Sequence, residues 1–273
     1  MITQNLHMHS TWDDGACSIE EMILASKAAG LTSVGLSVHG PMPFENSWEC
    51  SKERLPDYMA EVRTMQKKYA GQIDVYLGIE WDATAKDLDL SAYDYVIGSV
   101  HEIPVPGGGT RSADSNPETT AGCISECFGG DADSAAEAYF AELSKVAANP
   151  QVDIVGHFDL LTKFDEQHGF FDPASARYQK AARAAMHALV DAGKIFEINT
   201  GAISRGYRTT PYPSRELLAA LHEMGGRVTV SADAHHVSGV ACAFEQAERL
   251  AKTCGFKEIW VLQGRKRFVP APL

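Results

Sequence analysis

The sequence predicts an α/β fold in which repeated βα units surround a parallel sheet or barrel. Short apolar runs rich in β-branched residues alternate along the chain with longer segments of helical periodicity. In addition, 45% of the 273 residues are hydrophobic, which is enough to bury one large core. No repeat or linker-like stretch divides the chain, so we expect a single domain spanning residues 1–273.

The apolar runs place eight strands in the sequence. Each run is short and rich in β-branched or aromatic residues, which is typical of buried strands. The predicted strands are QNLHMH, TSVGLSV, IDVYLGI, YDYVIGSV, VDIVGH, KIFEI, GRVTVS and EIWVL. Because helical segments separate them, we expect these strands to run parallel to one another.

Helices are predicted between the strands, and two of them have clear ends. Ser18 and Glu21 form a capping-box pattern that opens a helix ending near Gly30. The stretch PSRE, from Pro213, opens a second helix that ends near Gly225. The other helices are predicted near residues 56–70, 133–148, 174–192 and 239–253.

One segment, at about residues 103–133, interrupts this alternation. It is rich in Gly, Ser, Asp and Thr and is too long for an ordinary connection, so it is predicted to be a surface loop or lid. Cys123 and Cys127 lie in this segment at a spacing that could hold a metal. Two free thiols in a polar loop are the simpler interpretation.

The charge of the chain argues against two classes of partner. With 24 basic and 36 acidic residues, the formal net charge is −12, which repels nucleic acids and anionic membrane surfaces. The sequence shows no secretory leader pattern and no apolar run of membrane-spanning length. We therefore expect a cytoplasmic protein that binds a small molecule. The sequence carries no signal for its oligomeric state.

Histidine and carboxylate side chains occur at or just after the ends of most predicted strands. In a parallel barrel these strand ends meet at one mouth, where barrel enzymes place their active sites. Imidazole and carboxylate together are ligands for zinc, iron or manganese. The residues concerned are His7, His9, His39, Glu80, His101, His157, Asp233 and His235.

His7 and His9 flank a single residue in the first predicted strand. Because side chains alternate along a strand, the two imidazoles project to the same side. This geometry allows both of them to bind one metal ion.

Seven motifs together resemble those of a known family. They are NLHMHS, SVHGPMP, GIEWD, GSVHEI, IVGHFDLLTKF, FEINTG and SADAH, in this order. The chain resembles the PHP (polymerase and histidinol phosphatase) superfamily, and within it the stand-alone histidinol-phosphatase branch. The resemblance implies a distorted, TIM-like (β/α)7 barrel with two or three divalent metal ions (Zn, Fe or Mn) at the C-terminal ends of the strands. Seven strands are fewer than predicted, so either EIWVL is peripheral or one predicted strand is wrong.

The resemblance also implies which residues bind the metals. One metal is expected to be held by His7, His9, Glu80 and Asp233. A second is expected to share Glu80 and to add His101 and His157. The third is expected to be held by Asp14, His39 and His235.

The chain departs from the family pattern at three positions. Asn5 stands where the first motif usually has Asp, so an acceptor is kept but a charge is lost. Val38 stands where an Asp usually orients the following histidine, and Gly15 stands where many relatives have a further histidine. Asp14 is therefore the expected substitute ligand, with Asp13 as the alternative.

The implied activity is hydrolysis of a phosphate monoester, L-histidinol phosphate, to L-histidinol and phosphate. The resemblance implies attack by a hydroxide that bridges two metals, with Glu80, Asp233 and His235 as the catalytic ligands. Lys163 and Arg205 are expected to hold the phosphate oxygens. The metals, rather than the acidic protein surface, would then attract the anionic substrate.

Alternative functions remain open at this point. They are a PHP phosphoesterase for another small phosphate ester, a nuclease or proofreading module, and a non-catalytic metal-binding protein. Glu197 and Asp159 are candidates either for orienting ligands or for contacting a cationic substrate amine. Trp12, Trp81 and Phe158 adjoin predicted ligands and are expected to line the pocket.

Overall fold

Seven parallel strands form a nearly closed barrel at the centre of the computed structural model, which describes residues 1–85 and 88–273. The barrel strands are β1 (Gln4–Asn5), β2 (Ser33–His39), β3 (Asp74–Asp82), β4 (Tyr95–Ser99), β7 (Ile154–Val155), β8 (Ile195–Asn199) and β9 (Arg227–Ser231). They are hydrogen-bonded in this order, and each neighbouring pair is parallel. The predicted TIM-like (β/α)7 barrel is therefore confirmed.

The first predicted strand divides its pairing between two neighbours. Only Gln4–Asn5 pairs with β2. Beyond it, the backbone N–H of His9 donates to the carbonyl of Ala234 (2.9 Å), and that of Ala234 donates to the carbonyl of His7 (3.2 Å). These bonds join the residues after β1 to those after β9, so His7 and His9 lie where the barrel closes.

The ring of Tyr95 packs over the paired strands β2 and β3. A side chain added at Gly35 or Gly78 would place its Cβ 2.2 Å from an atom of the Tyr95 phenol group. Glycine is therefore required at both positions for the ring to pack against the strands. The hydroxyl of Tyr95 donates to the carbonyl of Leu6, across the barrel from β4.

The predicted helices surround the barrel. The structure has α1 (Ile19–Ala28), α2 (Leu55–Lys68), α3 (Pro117–Gly122), α4 (Ala132–Ser144), α5 (Asp165–His168), α6 (Ala176–Asp191), α7 (Gly201–Ser204), α8 (Arg215–Glu223) and α9 (Phe244–Thr253). The capping box of Ser18 and Glu21 is present at the start of α1. The last helix begins later than predicted, because Ala243, directly before it, has a left-handed backbone (φ 55°) that interrupts the helical conformation. In the described ranges, 1–85 and 88–273, no helix is long and apolar enough to span a bilayer.

The segment at 103–133, predicted as a loop or lid, contains regular structure. It includes an antiparallel hairpin of β5 (Glu102–Pro104) and β6 (Thr110–Ser112), then α3 and a π-helical turn at Cys123–Cys127. The expectation of an irregular polar loop is wrong because Ile103, Ala113 and Cys123 bury their side chains. Both cysteines are free thiols. Movement of this segment as a lid stays a prediction.

The C-terminal strands lie outside the barrel. The predicted strand EIWVL is β10 (Glu258–Leu262), which pairs antiparallel with β11 (Phe268–Pro272). Gln4 fastens this hairpin to β1, because its side-chain amide donates to the carbonyl of Leu262 (3.0 Å) and accepts from its N–H (2.8 Å). The hairpin therefore covers the end of the barrel at which the strands begin, and EIWVL is peripheral.

The segment after β7 contains a carboxyl group whose charge changes near neutral pH. Oδ1 of Asp165 accepts hydrogen bonds from the backbone N–H groups of Phe170 (3.1 Å) and Phe171 (3.3 Å). Burial raises the pKa of Asp165 to about 6, although these hydrogen bonds act in the opposite direction. The native state therefore holds this proton more tightly than the unfolded chain does. The resulting stabilisation, complete below the unfolded pKa, is lost as the pH rises through about 6.

We expect Asp165→Asn to remove this loss, because asparagine keeps the Oδ1 acceptor and does not ionise. The difference in melting temperature, variant minus wild type, should be about 2–4 °C larger at about pH 7.5 than at about pH 5. This corresponds to a change of about 1 kcal/mol in the free energy of unfolding. Thermal unfolding followed by circular dichroism measures this. Asp191→Asn, at an exposed position ending α6, is the control and should show no such trend. A pH-independent difference for Asp165→Asn would contradict the prediction.

Candidate metal centre

The predicted metal-binding residues meet at the mouth of the barrel. Each has a side-chain nitrogen or oxygen within 3.5 Å of one from another member of the set. The set comprises His7, His9, Asp14, His39, Glu80, His101, His157, Asp233 and His235. Residues from across the chain thus form one polar cluster.

Glu80, near the end of β3, lies at the centre of this cluster and is 1% exposed. Its Oε2 lies 3.1 Å from Nε2 of His7 and 3.0 Å from Nδ1 of His39. Its Oε1 lies 3.0 Å from Nε2 of His157 and 3.5 Å from Nε2 of His101. Each carboxylate oxygen therefore has two imidazole nitrogens within 3.5 Å, and Oε2 also lies 3.6 Å from Nε2 of His9. This arrangement suits a carboxylate shared by two cations.

The donor atoms form three overlapping groups within which all atoms lie no more than 4.8 Å apart. The groups are His7, His9 and Asp233, then His39, Glu80 and His101, and finally His9, Asp14, His39 and His235. The first and third resemble two of the predicted ligand sets. The second differs from the predicted set because His39 takes the place of His157, whose Nε2 nonetheless lies 3.0 Å from Glu80.

Several atoms in the cluster lack hydrogen bonds despite their short distances. Nε2 of His7, Nε2 of His9 and Oε2 of Glu80 are buried without a hydrogen-bond partner among the described residues. Each such atom costs about 1–3 kcal/mol if nothing else satisfies it. Imidazole nitrogens and carboxylate oxygens are the donors that zinc, iron and manganese accept. The cluster therefore fits divalent cations.

Three carboxylates orient imidazoles by binding their opposite nitrogens. Nδ1 of His7 lies 2.9 Å from Glu197, Nδ1 of His9 lies 2.7 Å from Asp13, and Nδ1 of His101 lies 3.1 Å from Asp82. Such contacts hold the rings so that each Nε2 faces the centre of the cluster.

Asp82 is not among the site residues predicted from the sequence, although the sequence contains a signal for its position. Asp82 follows Glu80 by two residues in β3, so strand alternation places both side chains on one face. The carboxylate of Asp82 also accepts from the backbone N–H of His101 (2.8 Å). It therefore holds both the backbone and the ring of that histidine.

Asp13 orients ligands, whereas Asp14 lies with the third group of donors. The buried carboxylate of Asp13 accepts from the backbone N–H of His39 (2.9 Å) as well as contacting His9. Asp13 thereby supplies part of the support for His39 that the preceding residue, an apolar valine, cannot give. Oδ1 of Asp14 lies 3.2 Å from Nε2 of His235 and 3.7 Å from Nε2 of His39.

Asn5 and Gly15, two departures from the family pattern, have structural explanations. Oδ1 of Asn5 accepts from the backbone N–H groups of His7 and Ala232 (both 3.1 Å), and Nδ2 donates to the carbonyl of Val240 (2.9 Å). An aspartate could not make that last bond. A Cβ at Gly15 would lie 2.3 Å from the backbone nitrogen of Ser10, so no histidine fits this turn.

Asp233 reaches the cluster through an unusual backbone conformation. Its φ angle is 46°, in the left-handed region that non-glycine residues rarely adopt. A Cβ at Gly201 would lie 2.8 Å from Oδ2 of Asp233, so glycine is needed there for the carboxylate to fit. Local strain at Asp233 is thus tolerated because the surrounding structure holds it.

Opposite charges offset the cost of burial within the cluster. Burial alone lowers the pKa of His7, but Glu197, Glu80 and Asp233 raise it well above its ordinary value. For His101, burial is likewise outweighed, mainly by Glu80, and the pKa rises to about 9. Without cations, the carboxylates thus draw protons onto imidazoles, and metal binding has to displace these protons.

Both basic residues predicted to hold phosphate line a cavity of about 370 Å³ above the cluster. Nζ of Lys163 donates to the carbonyl (2.7 Å) and carboxylate (3.0 Å) of Asp114. Nη2 of Arg205 donates to the carboxylate of Asp233 (3.0 Å), and its Nη1 lies 2.8 Å from Nδ1 of His235. Both cations therefore reach the mouth of the barrel, where protein groups already contact them.

The aromatic wall of this cavity differs from the prediction. Trp48 lines it, with its ring centroid 5.0 Å from that of His39. The expectation for Phe158 and Trp81 is wrong because each follows an inward-facing residue and packs against the core. Trp12 also packs away from the cavity, against Tyr58, and donates to Glu61 (2.8 Å).

The two further candidate carboxylates, Glu197 and Asp159, both have protein partners. Besides contacting His7, Glu197 accepts from the backbone N–H of His157 (2.6 Å) and the hydroxyl of Ser231 (2.6 Å). Asp159 is buried and accepts from the backbone N–H of Ser214 (3.0 Å). Glu197 therefore orients ligands, whereas the contacts of Asp159 connect the segments after β7 and β8.

Comparison with known proteins agrees with this geometry. Residues 5–201 match the family model described as PHP domain. A relative from Deinococcus radiodurans, named a probable histidinol-phosphatase, is 30% identical over 251 residues, 88% of this chain and 88% of the relative. The histidinol-phosphatase of Lactococcus lactis subsp. lactis is 25% identical over 223 residues, 78% of this chain and 77% of the relative.

The fold also matches a solved structure. It is the crystal structure of histidinol phosphate phosphatase from Lactococcus lactis subsp. lactis, complexed with Zn, L-histidinol and phosphate. The TM-score is 0.74 at 22% sequence identity, and the match covers 97% of this chain and 98% of that chain. With the barrel, the order of its motifs and the family match in agreement, the chain belongs to the PHP family.

Proposed function

We propose that this protein is a metal-dependent phosphomonoesterase that hydrolyses L-histidinol phosphate to L-histidinol and phosphate. The observation that carries the proposal is the buried Glu80 carboxylate with nitrogens of four imidazoles within 3.5 Å, beneath a cavity lined by Lys163 and Arg205. Relatives named histidinol-phosphatase across most of the chain support the choice of substrate.

The cluster would hold two or three divalent ions of zinc, iron or manganese. His7, His9, Glu80 and Asp233 would form one site, Glu80, His101 and His157 a second, and Asp14, His39 and His235 a third. Divalent ions lower the pKa of coordinated water toward neutrality and offset the charge of a phosphate dianion. Glu80, Asp233 and His235 are the ligands that we place nearest to the reacting atoms.

Lys163 and Arg205 would donate to the non-bridging phosphate oxygens. Arg205 offers a planar fork suited to two such oxygens, whereas Lys163 supplies a compact charge. To do so they exchange their present partners, Asp114 and Asp233, for the substrate. Asp114 and Glu102 line the same cavity, and their negative charge suits a substrate that carries an amine.

A cytoplasmic enzyme acting on a small molecule is consistent with the charge of the chain. The net charge of −12 favours neither nucleic acid nor an anionic membrane as a partner. Small-molecule phosphate hydrolysis is therefore proposed in preference to a nuclease activity.

A substrate panel tests the proposed function directly. Because Asp114 and Glu102 suit a cationic substrate, kcat/KM for L-histidinol phosphate should exceed that for 4-nitrophenyl phosphate by about 100-fold or more. Metal content is measured on the same preparation. Glu80→Gln should lose bound metal and activity together, because it weakens a carboxylate shared by two predicted sites. Glu118→Gln, at an exposed position in α3, is the control and should behave as wild type.

Equal kcat/KM values for the two esters would contradict the assignment of L-histidinol phosphate as the substrate. The protein would then be a phosphoesterase of broad specificity. Degradation of single-stranded DNA by the purified protein would favour the nuclease alternative. Full activity in a folded Glu80→Gln variant would contradict the catalytic role of the metal centre.

We predict that Asp82→Asn weakens metal binding by about 10–100-fold, because it alters the carboxylate that orients His101. Competition with a chelator, followed by metal analysis, measures the affinity, and circular dichroism checks the fold. Asp74→Asn, at the exposed beginning of the same strand, is the matched control and should retain wild-type affinity. Unchanged affinity in the Asp82 variant would show that His101 needs no such support.

We predict that Lys163→Met lowers kcat/KM by about 10²–10³-fold for both phosphate esters, because it removes a donor to the phosphate oxygens. Steady-state kinetics at saturating metal measure the effect. Lys180→Met, on the exposed face of α6, controls for the loss of one positive charge. If Lys163→Met instead retained wild-type kcat/KM, Lys163 would be excluded as a phosphate ligand.

A further inference from the structure

A second cavity lies at the opposite end of the barrel from the metal centre. Its volume is about 610 Å³, and it opens where β7, β8 and β9 begin, beside the hairpin of β10 and β11. Lys194, Arg227 and Lys266 line it together with the aromatic ring of Trp260. Within the part of the chain that the structure describes, Asp153 is the only acidic residue of the lining. A chain of net charge −12 thus collects positive charge around this cavity.

Lys194 is a buried cation whose hydrogen-bond partners are neutral. It directly precedes β8 and is 5% exposed. Its Nζ donates to the carbonyls of Asn149 (2.6 Å) and Val152 (2.8 Å). An ammonium group has three N–H donors, and a buried charge is costly unless an opposite charge accompanies it. Burial lowers the pKa of Lys194, although the carboxylate of Asp153 acts in the opposite direction.

Arg227, the first residue of β9, is a second cation held by neutral groups. Its guanidinium lies over the indole of Trp260, 4.7 Å from the ring centroid, and Nη2 donates to the carbonyl of Gly193. Stacking on an aromatic ring holds the guanidinium plane without using its N–H donors. The remaining donors of Arg227 are thus available to a ligand.

The third cation of the cavity already has a carboxylate partner. Nζ of Lys266 lies 2.6 Å from the carboxylate of Asp153 and donates to the carbonyl of Gln151 (2.7 Å). The carboxylate of Asp153 also accepts from the backbone N–H of Val96 (2.8 Å). The charge of Asp153 also acts on Lys194, so this single carboxylate serves two of the three cations. The described lining therefore carries an excess of positive charge.

We propose that this cavity binds a small phosphate-bearing dianion. The excess positive charge of Lys194, Arg227 and Lys266 over Asp153 matches the two negative charges of a phosphate group, and ammonium and guanidinium are its usual ligands in proteins. Trp260 adds an apolar face beside the charges. This site shares no lining residue, among those described, with the cavity above the metal centre.

Titration with inorganic phosphate tests the proposal in the metal-loaded protein of 273 residues. The ¹⁵N-labelled chain has four tryptophans, and their indole N–H signals are followed by NMR at constant ionic strength. The Trp260→Phe variant lacks the indole N–H signal of Trp260 and so identifies that signal in the spectrum of the wild type. We expect the Trp260 signal to shift and saturate. Trp48 lines the cavity above the metal centre, so its signal reports phosphate there separately.

Arg227→Gln and Lys194→Met should each weaken the saturable shift of Trp260 by about tenfold or more and leave the Trp48 response unchanged. Arg265→Gln, at an exposed position near β10, is the matched control and should bind as wild type. Arg227 is only half-buried, so its variant decides the question if Lys194→Met does not fold. A Trp260 signal that does not move, that moves without saturating, or that moves equally in Arg227→Gln would overturn the proposal.

Discussion

The structure depends on burying the carboxylate of Glu80 among imidazoles at the mouth of a parallel barrel. Charged groups leave water at a high cost, which only opposite charges and well-placed hydrogen bonds can offset. Here each oxygen of Glu80 has two imidazole nitrogens within 3.5 Å. The atoms left without hydrogen bonds mark where further positive charge is required. This need for positive charge around Glu80 explains why histidines surround it, why their rings are held by further carboxylates, and why an anionic substrate suits the site.

The backbone around Glu80 also holds the clustered side chains in place. The amide of Asn5 binds backbone groups on both sides of the barrel closure, so the segment of His7 and His9 is held in place. Gly201 makes room for the carboxylate of Asp233, whose own backbone is in the left-handed region. Asp13 holds two histidines through one carboxylate. The positions of the clustered side chains thus depend on neighbouring residues that hold their backbone or rings, or that leave room for them.

The two ends of the barrel differ in how they present positive charge. At the mouth, a carboxylate-rich cluster becomes attractive to anions only when cations occupy it. At the opposite end, Lys194 and Arg227 provide positive charge directly and are held by neutral groups. The phosphate site that we propose at this end would therefore need no bound metal, unlike the one proposed at the mouth.

The sequence by itself determined the alternation of strands and helices and the residue types at the strand ends, because these depend on local periodicity. Its motifs, through their resemblance to the PHP family, implied the seven-stranded barrel. The sequence also predicted His7 and His9 on one side, as strand alternation requires. Only the tertiary structure decided which groups meet across the barrel. Examples are the contacts of Asp82 with His101, of Trp48 with His39 and of Asp114 with Lys163, each of which joins different segments of the chain. Strand alternation places Asp82 on the face of Glu80, but it does not identify His101 as its partner, because such pairings are set by packing of the completed fold.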